Sequence, residues 1–93
     1  MKRELLKSKT FIRSAKKVIK KSPQIIDDIE ETLELLSEDA FYSSLKTHKL
    51  KGDLEGSWAC SAAYDLRIVF EFIQHEEAEA ILLEDIGTHD DVY

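Results

Sequence analysis

Between Tyr64 and Phe72 apolar and polar positions alternate. Tyr64, Leu66, Ile68, Phe70 and Phe72 fall on one side of an extended chain, and Asp65, Arg67, Val69 and Glu71 on the other. This predicts a strand packed on one face and wet on the other. Trp58 to Ala63 before it and Ala78 to Ile86 after it read as two further strands, with Gln74 to Glu77 as a polar turn. Upstream the period changes. Phe11, Ala15, Val18 and Ile19 recur at helical spacing, so residues 9–21 should form an amphipathic helix whose C-terminal lysines suit the helix dipole. Ser22-Pro23 reads as the N-cap and first residue of a second helix, with Ile25, Ile26, Ile29, Leu33 and Leu36 as its apolar stripe to about Glu38. Leu5 and Leu6 could begin an edge strand, and Phe41 to Gly56 reads as a loop with short extended pieces. Helices followed by strands predict one α+β domain over 1–93. Its helix hairpin should pack on one face of a twisted antiparallel sheet of three to four strands. The face carrying Asp65 and Arg67 is then open.

Composition changes this picture only through charge. A hydrophobic share of 43% and a charged share of 34% are ordinary for a soluble domain. No apolar run approaches the ~20 residues of a bilayer span. Met1 to Lys7 lacks the apolar core of a signal peptide, which places the chain in the cytoplasm, with no membrane partner. The net charge of −6 is strongly segregated. Residues 1–21 hold nine Lys/Arg and one acid, and residues 22–45 hold seven acids and no base. Lys46, Lys49 and Lys51 follow, and beyond them Arg67 is the sole Lys or Arg against eleven acids. Whole-chain acidity argues against indiscriminate nucleic-acid binding, although the two basic blocks could make a local footprint. The basic helix beside the acidic one should also attract, an effect worth little per exposed pair.

Arg67, a lone cation two residues from Asp65, is a site candidate whose simpler reading is a cross-strand salt bridge to Asp85 or Glu84. Of the three histidines, His75 lies in an acidic turn and reads as solvated. His48 stands among Lys46, Lys49 and Lys51, which favour its neutral, base-competent form. His89 follows Gly87, close to Asp85, Asp90 and Asp91, which favour its charged, acid form. Such a pair can act as base and acid in RNA cleavage by the 2′-hydroxyl, with Arg67 on the phosphate. Single histidines are more often structural. The single Cys60 excludes an intramolecular disulfide, and neither His i,i+4 nor CxxC spacing for zinc occurs, so no metal or cofactor is expected.

HKLKGDLEGSWACSAAYDLRIVFEF followed by LLEDIGTHDDVY resembles the RelE/ParE toxin superfamily of toxin–antitoxin modules, most closely its YafQ-like branch. The shared elements are H-x-L-x-G, G-x-W, D-x-R-I-V-F and I-G-T-H-x-x-V-Y, in that order. The resemblance implies a RelE-like fold and a metal-independent mRNA endonuclease acting in the ribosomal A site and inhibiting translation. In that frame His48 matches the loop histidine, a general base or acid. Asp65 matches the acidic residue opening the strand, and Arg67 the strand arginine that stabilises phosphorane-like charge. His89 matches the histidine of the GTH motif, a proton donor or phosphate ligand. Tyr93 matches the C-terminal aromatic that stacks on or orients a nucleotide. Lys46, Lys49 and Lys51 are expected on the RNA or ribosome backbone. YafQ proteins carry a further histidine shortly after the tryptophan, where this chain has Ser61 or a neighbouring alanine. The partners implied are the ribosome, mRNA and a cognate antitoxin in a neutralising complex. A ParE-like inhibitor of DNA gyrase and a catalytically inactive antitoxin-binding relic are the alternatives on the same fold.

Overall fold

The computed structural model describes residues 2–93; Met1, the first residue of the expected domain, lies outside them. The periodic segments become strand β1 (Glu4–Lys7), helix α1 (Lys9–Lys21), helix α2 (Ile26–Glu38), strands β2 (His48–Lys49), β3 (Trp58–Ala63), β4 (Leu66–His75) and β5 (Ala78–Thr88), and a single helical turn α3 (His89–Val92). The five strands form one sheet in the order β1-β5-β4-β3-β2. It is mixed and larger than the antiparallel sheet of three to four strands expected. The short Leu5-Leu6 segment pairs in parallel with β5, and β2 adds two residues at the other edge.

The Ser8 hydroxyl ties the start of α1 to the sheet. It accepts the Phe11 N–H at 3.0 Å as N-cap and donates to the Glu84 carbonyl at 3.0 Å. Ser22 makes no side-chain cap, and Pro23 opens a 3₁₀ turn through Ile25 before α2 starts. The α2 stripe therefore runs through Ile25, Ile29, Leu33 and Leu36, and Ile26 lies 40% exposed. Phe11, Ile29 and Leu36 from the helices meet Cys60, Leu66, Ile68, Phe70, Ile81, Leu83 and Ile86 in one core. Burying each large aliphatic or aromatic side chain there contributes about 1.5–3 kcal/mol. No ion pair joins α1 to α2 among the described residues, whose close charged pairs lie elsewhere. The expected attraction between the helices is therefore not realised in contacts. Among the described residues no helix is long and apolar enough to cross a membrane.

Two features of β4 depart from the alternation. Tyr64 and Asp65 belong to the reversal between β3 and β4, not to the strand: Asp65 has a left-handed φ of 55° and Tyr64 is 100% exposed. Two adjacent antiparallel strands cannot be joined without a turn, and these two residues supply it. The second reversal uses Glu76 and Glu77, both at positive φ (50° and 67°), where the right-handed twist of a tight hairpin is met.

Candidate functional site on the open face of the sheet

Residues directly opposite in an antiparallel ladder share a face. His48 pairs with Ala59, which pairs with Val69; Ser61 pairs with Arg67, which pairs with Gly87. His48 and Arg67 thus lie on the face away from the helices. Two strands and two residues of sheet separate them, about 12 Å between backbones. Arg67 is held between ladder partners on both sides.

No salt bridge engages Arg67 among the described residues, so the simpler reading of that residue fails. Asp85 stands opposite Val69, its carboxylate takes the Ile86 N–H at 2.9 Å, and Glu84 accepts the Ser57 hydroxyl at 2.6 Å. Register moves both acids away from the guanidinium. One guanidinium nitrogen donates to the Leu66 carbonyl at 3.2 Å and reaches the Ala63 carbonyl at 3.5 Å, which orients the group without neutralising it. It faces an open cavity of about 540 Å³ lined also by Ser44, Lys46, Ser61, Tyr64 and Asp65. Lys46 reaches this cavity because it adopts a left-handed φ of 52° after the 3₁₀ turn Ser43–Leu45. A cavity with an oriented guanidinium and an ammonium suits a phosphate, and arginine's planar fork suits it best.

The remaining predicted residues divide. His48 is exposed at the β2 edge, with Nδ1 3.0 Å from the Lys46 carbonyl oxygen. A carbonyl only accepts, so Nδ1 carries the proton and donates; in the neutral ring Nε2 is then free to accept. His89 opens α3 and sets its ring edge-on to Tyr93, centroids 4.4 Å apart. Its Nδ1 lies 3.8 Å from Asp90, whereas Asp91 is engaged with Thr88 in a capping box. Burial pushes the Tyr93 phenol up, and the Arg67 guanidinium pulls it the other way. Lys49 instead covers Trp58 at 5.5 Å on the helix side, and Lys51 is exposed outside the cavity. His75 closes β4 with Nε2 3.8 Å from Glu4.

Sequence reading missed two residues. Tyr64, assigned to the core by alternation, stands at the cavity rim; requiring a turn between the two strands would have found it. Gly87 is demanded by close approach: a Cβ there would lie 2.9 Å from the Asp91 Cβ, so α3 could not fold back over it. Among the described residues no three metal-ligating side chains converge.

A family model described as a bacterial toxin of type II toxin–antitoxin systems, YafQ, matches residues 3–93. The chain belongs to the YafQ family. None of the curated proteins matches this toxin. Solved structures agree in backbone at low identity. YafQ from E. coli strain BL21(DE3) superposes with a TM-score of 0.77 at 16% identity, covering 98% of both chains. The E. coli DinJ-YafQ toxin-antitoxin complex gives 0.75 at 17%, covering 100% of this chain and 99% of that one. A YoeB/ParE toxin from Agrobacterium tumefaciens gives 0.76 at 15%, covering 92% and 98%. The chain is therefore a RelE-like toxin in fold and a type II toxin–antitoxin toxin by family.

Proposed function

We propose that this YafQ-family toxin is an endoribonuclease that cuts translated mRNA in the ribosomal A site, without a metal, and so stops translation in the cytoplasm. The observation that carries the reading is Arg67: an oriented guanidinium that forms no salt bridge among the described residues, facing a cavity lined also by Lys46 and Asp65. In the reaction the 2′-oxygen forms a bond to phosphorus and the P–O5′ bond breaks, leaving a 2′,3′-cyclic phosphate and a 5′-hydroxyl. His48, with Nε2 free to accept, takes the 2′-hydroxyl proton. Arg67 and Lys46 stabilise the charge that builds on the phosphorane oxygens. His89, two residues beyond the Gly87 that pairs with Arg67 and set edge-on to Tyr93, gives the proton to the departing 5′-oxygen. Tyr93 orients a nucleotide, Asp65 lines the cavity rim, and Lys49 and Lys51 serve the ribosome backbone. A cognate antitoxin neutralises the toxin, as the pairing in the DinJ-YafQ complex suggests.

The test is induction of wild type, Arg67→Ala and His48→Ala/His89→Ala without antitoxin, with 5′ ends of cellular mRNA mapped. In-frame cuts in translated messages should appear with wild type and vanish in both variants, with kcat down roughly 100- to 1,000-fold for Arg67→Ala. Growth arrest with intact mRNA would move the reading to a gyrase inhibitor. No arrest would leave an inactive antitoxin-binding protein.

A further inference from the structure

Beside the Arg67 cavity lies a second one of about 740 Å³, between the end of α1 and the β3–β4 turn. The two share Tyr64 and Asp65 as a common wall. Val18, Ile25 and Leu66 line the second cavity, and Lys17, Lys20 and Lys21 belong to its lining as well. All three lysines are exposed, and none forms a salt bridge among the described residues. Asp65 and Asp91 are the acids in this lining, and the Asp91 carboxylate is already engaged by the Thr88 N–H at 3.3 Å.

We infer that this surface is an RNA track, in which Tyr64 stacks on a base flanking the cut and Lys17, Lys20 and Lys21 take the phosphates that follow. The inference rests on the reading of the Arg67 cavity as the RNA site. A strand held there at one phosphate must leave over the rim. On the Tyr64 side it meets first a wholly exposed aromatic ring and then three unpaired ammonium groups. Single-stranded nucleic acid is held by this combination of stacking face and cationic path, without regard to base identity. A tight turn holds the Tyr64 backbone in place, so little ordering is needed when a base stacks on it. The track also bears on how a chain of net charge −6 holds RNA: Lys17, Lys20 and Lys21 pair with no acid of α2 among the described residues and line a cavity that shares a wall with the site.

The test measures binding of a short fluorescein-labelled 2′-O-methyl oligouridine, which cannot be cut, by anisotropy across a salt series. Tyr64→Ala should weaken binding roughly tenfold and Tyr64→Phe should retain it. Lys17→Gln/Lys20→Gln/Lys21→Gln should reduce the slope of log affinity against log salt by about 2. These side chains are exposed, so thermal melting should stay at the wild-type value in every variant. If wild type does not bind, or if both the Tyr64→Ala and the lysine variants bind as wild type, the track is refuted. Loss of binding in Arg67→Ala alone would refute the track and keep the cavity reading; loss in the Tyr64 and lysine variants alone would overturn the cavity reading, and with it the track as an exit from that site. Unchanged RNA binding with weakened antitoxin binding would assign the surface to an acidic protein segment instead, and would equally overturn the proposal.

Discussion

The two faces of β4 lie back to back and follow different rules. On the helix side Leu66, Ile68 and Phe70 are 6%, 0% and 0% exposed, and each is fixed by what it packs against. On the open side Arg67 has no ion-pair partner among the described residues and is aimed by backbone carbonyls into a cavity. One face spends its residues on stability; the other leaves a charge uncompensated where an anion can use it. The largest expected effect breaks this symmetry directly. Phe70→Ala should cost about 3–5 kcal/mol in urea unfolding, whereas Arg67→Ala should stay within about 0.5 kcal/mol of wild type while losing the proposed cleavage. An Arg67→Ala variant destabilised as strongly as Phe70→Ala would make the arginine a structural residue.

Gly87 is where the two faces meet, because it belongs to the strand but makes room for α3 on the open side. Gly87→Ala should cost about 1–3 kcal/mol and reduce cleavage as well, since the displaced turn carries His89 and Tyr93. Wild-type melting and wild-type cleavage together would show that α3 does not depend on that approach. The smallest effect probes the packed face by pH. Burial pushes the Cys60 thiol from 9.0 up to about 12, with Arg67 pulling weakly the other way. A thiol raised in the folded state contributes stability that is complete below pH 9 and lost as pH rises toward 12. Cys60→Ala should lack that part of the alkaline decline in denaturant titrations, and the native thiol should resist modification at neutral pH. An identical decline in both proteins would place the thiol in contact with water.

The strands and helices were legible because hydrophobic period is local information. Ile25, Ile29, Leu33 and Leu36 announce their shared face within twelve residues, whereas the face of Arg67 is wet only in part, because Val69 and Ala59 on it are 4% and 0% exposed. The failures have one cause. Tyr64 continues the alternation in phase, so the pattern runs through a turn that only the neighbouring strand requires. The partners of Arg67 depend on the β4–β5 register, where the bulge between Val69 and Phe70 decides which acid faces which row. Likewise the meeting of Lys46 with Asp65 and Arg67 depends on a left-handed residue in a loop, and Lys49 and Lys51 three and five positions on go elsewhere. Histidine roles came through family resemblance; spacing alone left them open.

The parallel pairing of β1 with β5 has a consequence for when this toxin comes into being. Glu4 meets Ala80 and Lys7 meets Leu83, so β5 lies between the chain's first strand and β4. A nascent chain that has not yet released residues 78–88 has neither ladder, and β1 and α1 lack the strand they pack against. Non-local closure of this kind comes late in folding. The sheet therefore closes only once residues 78–88 are free to pair on both sides.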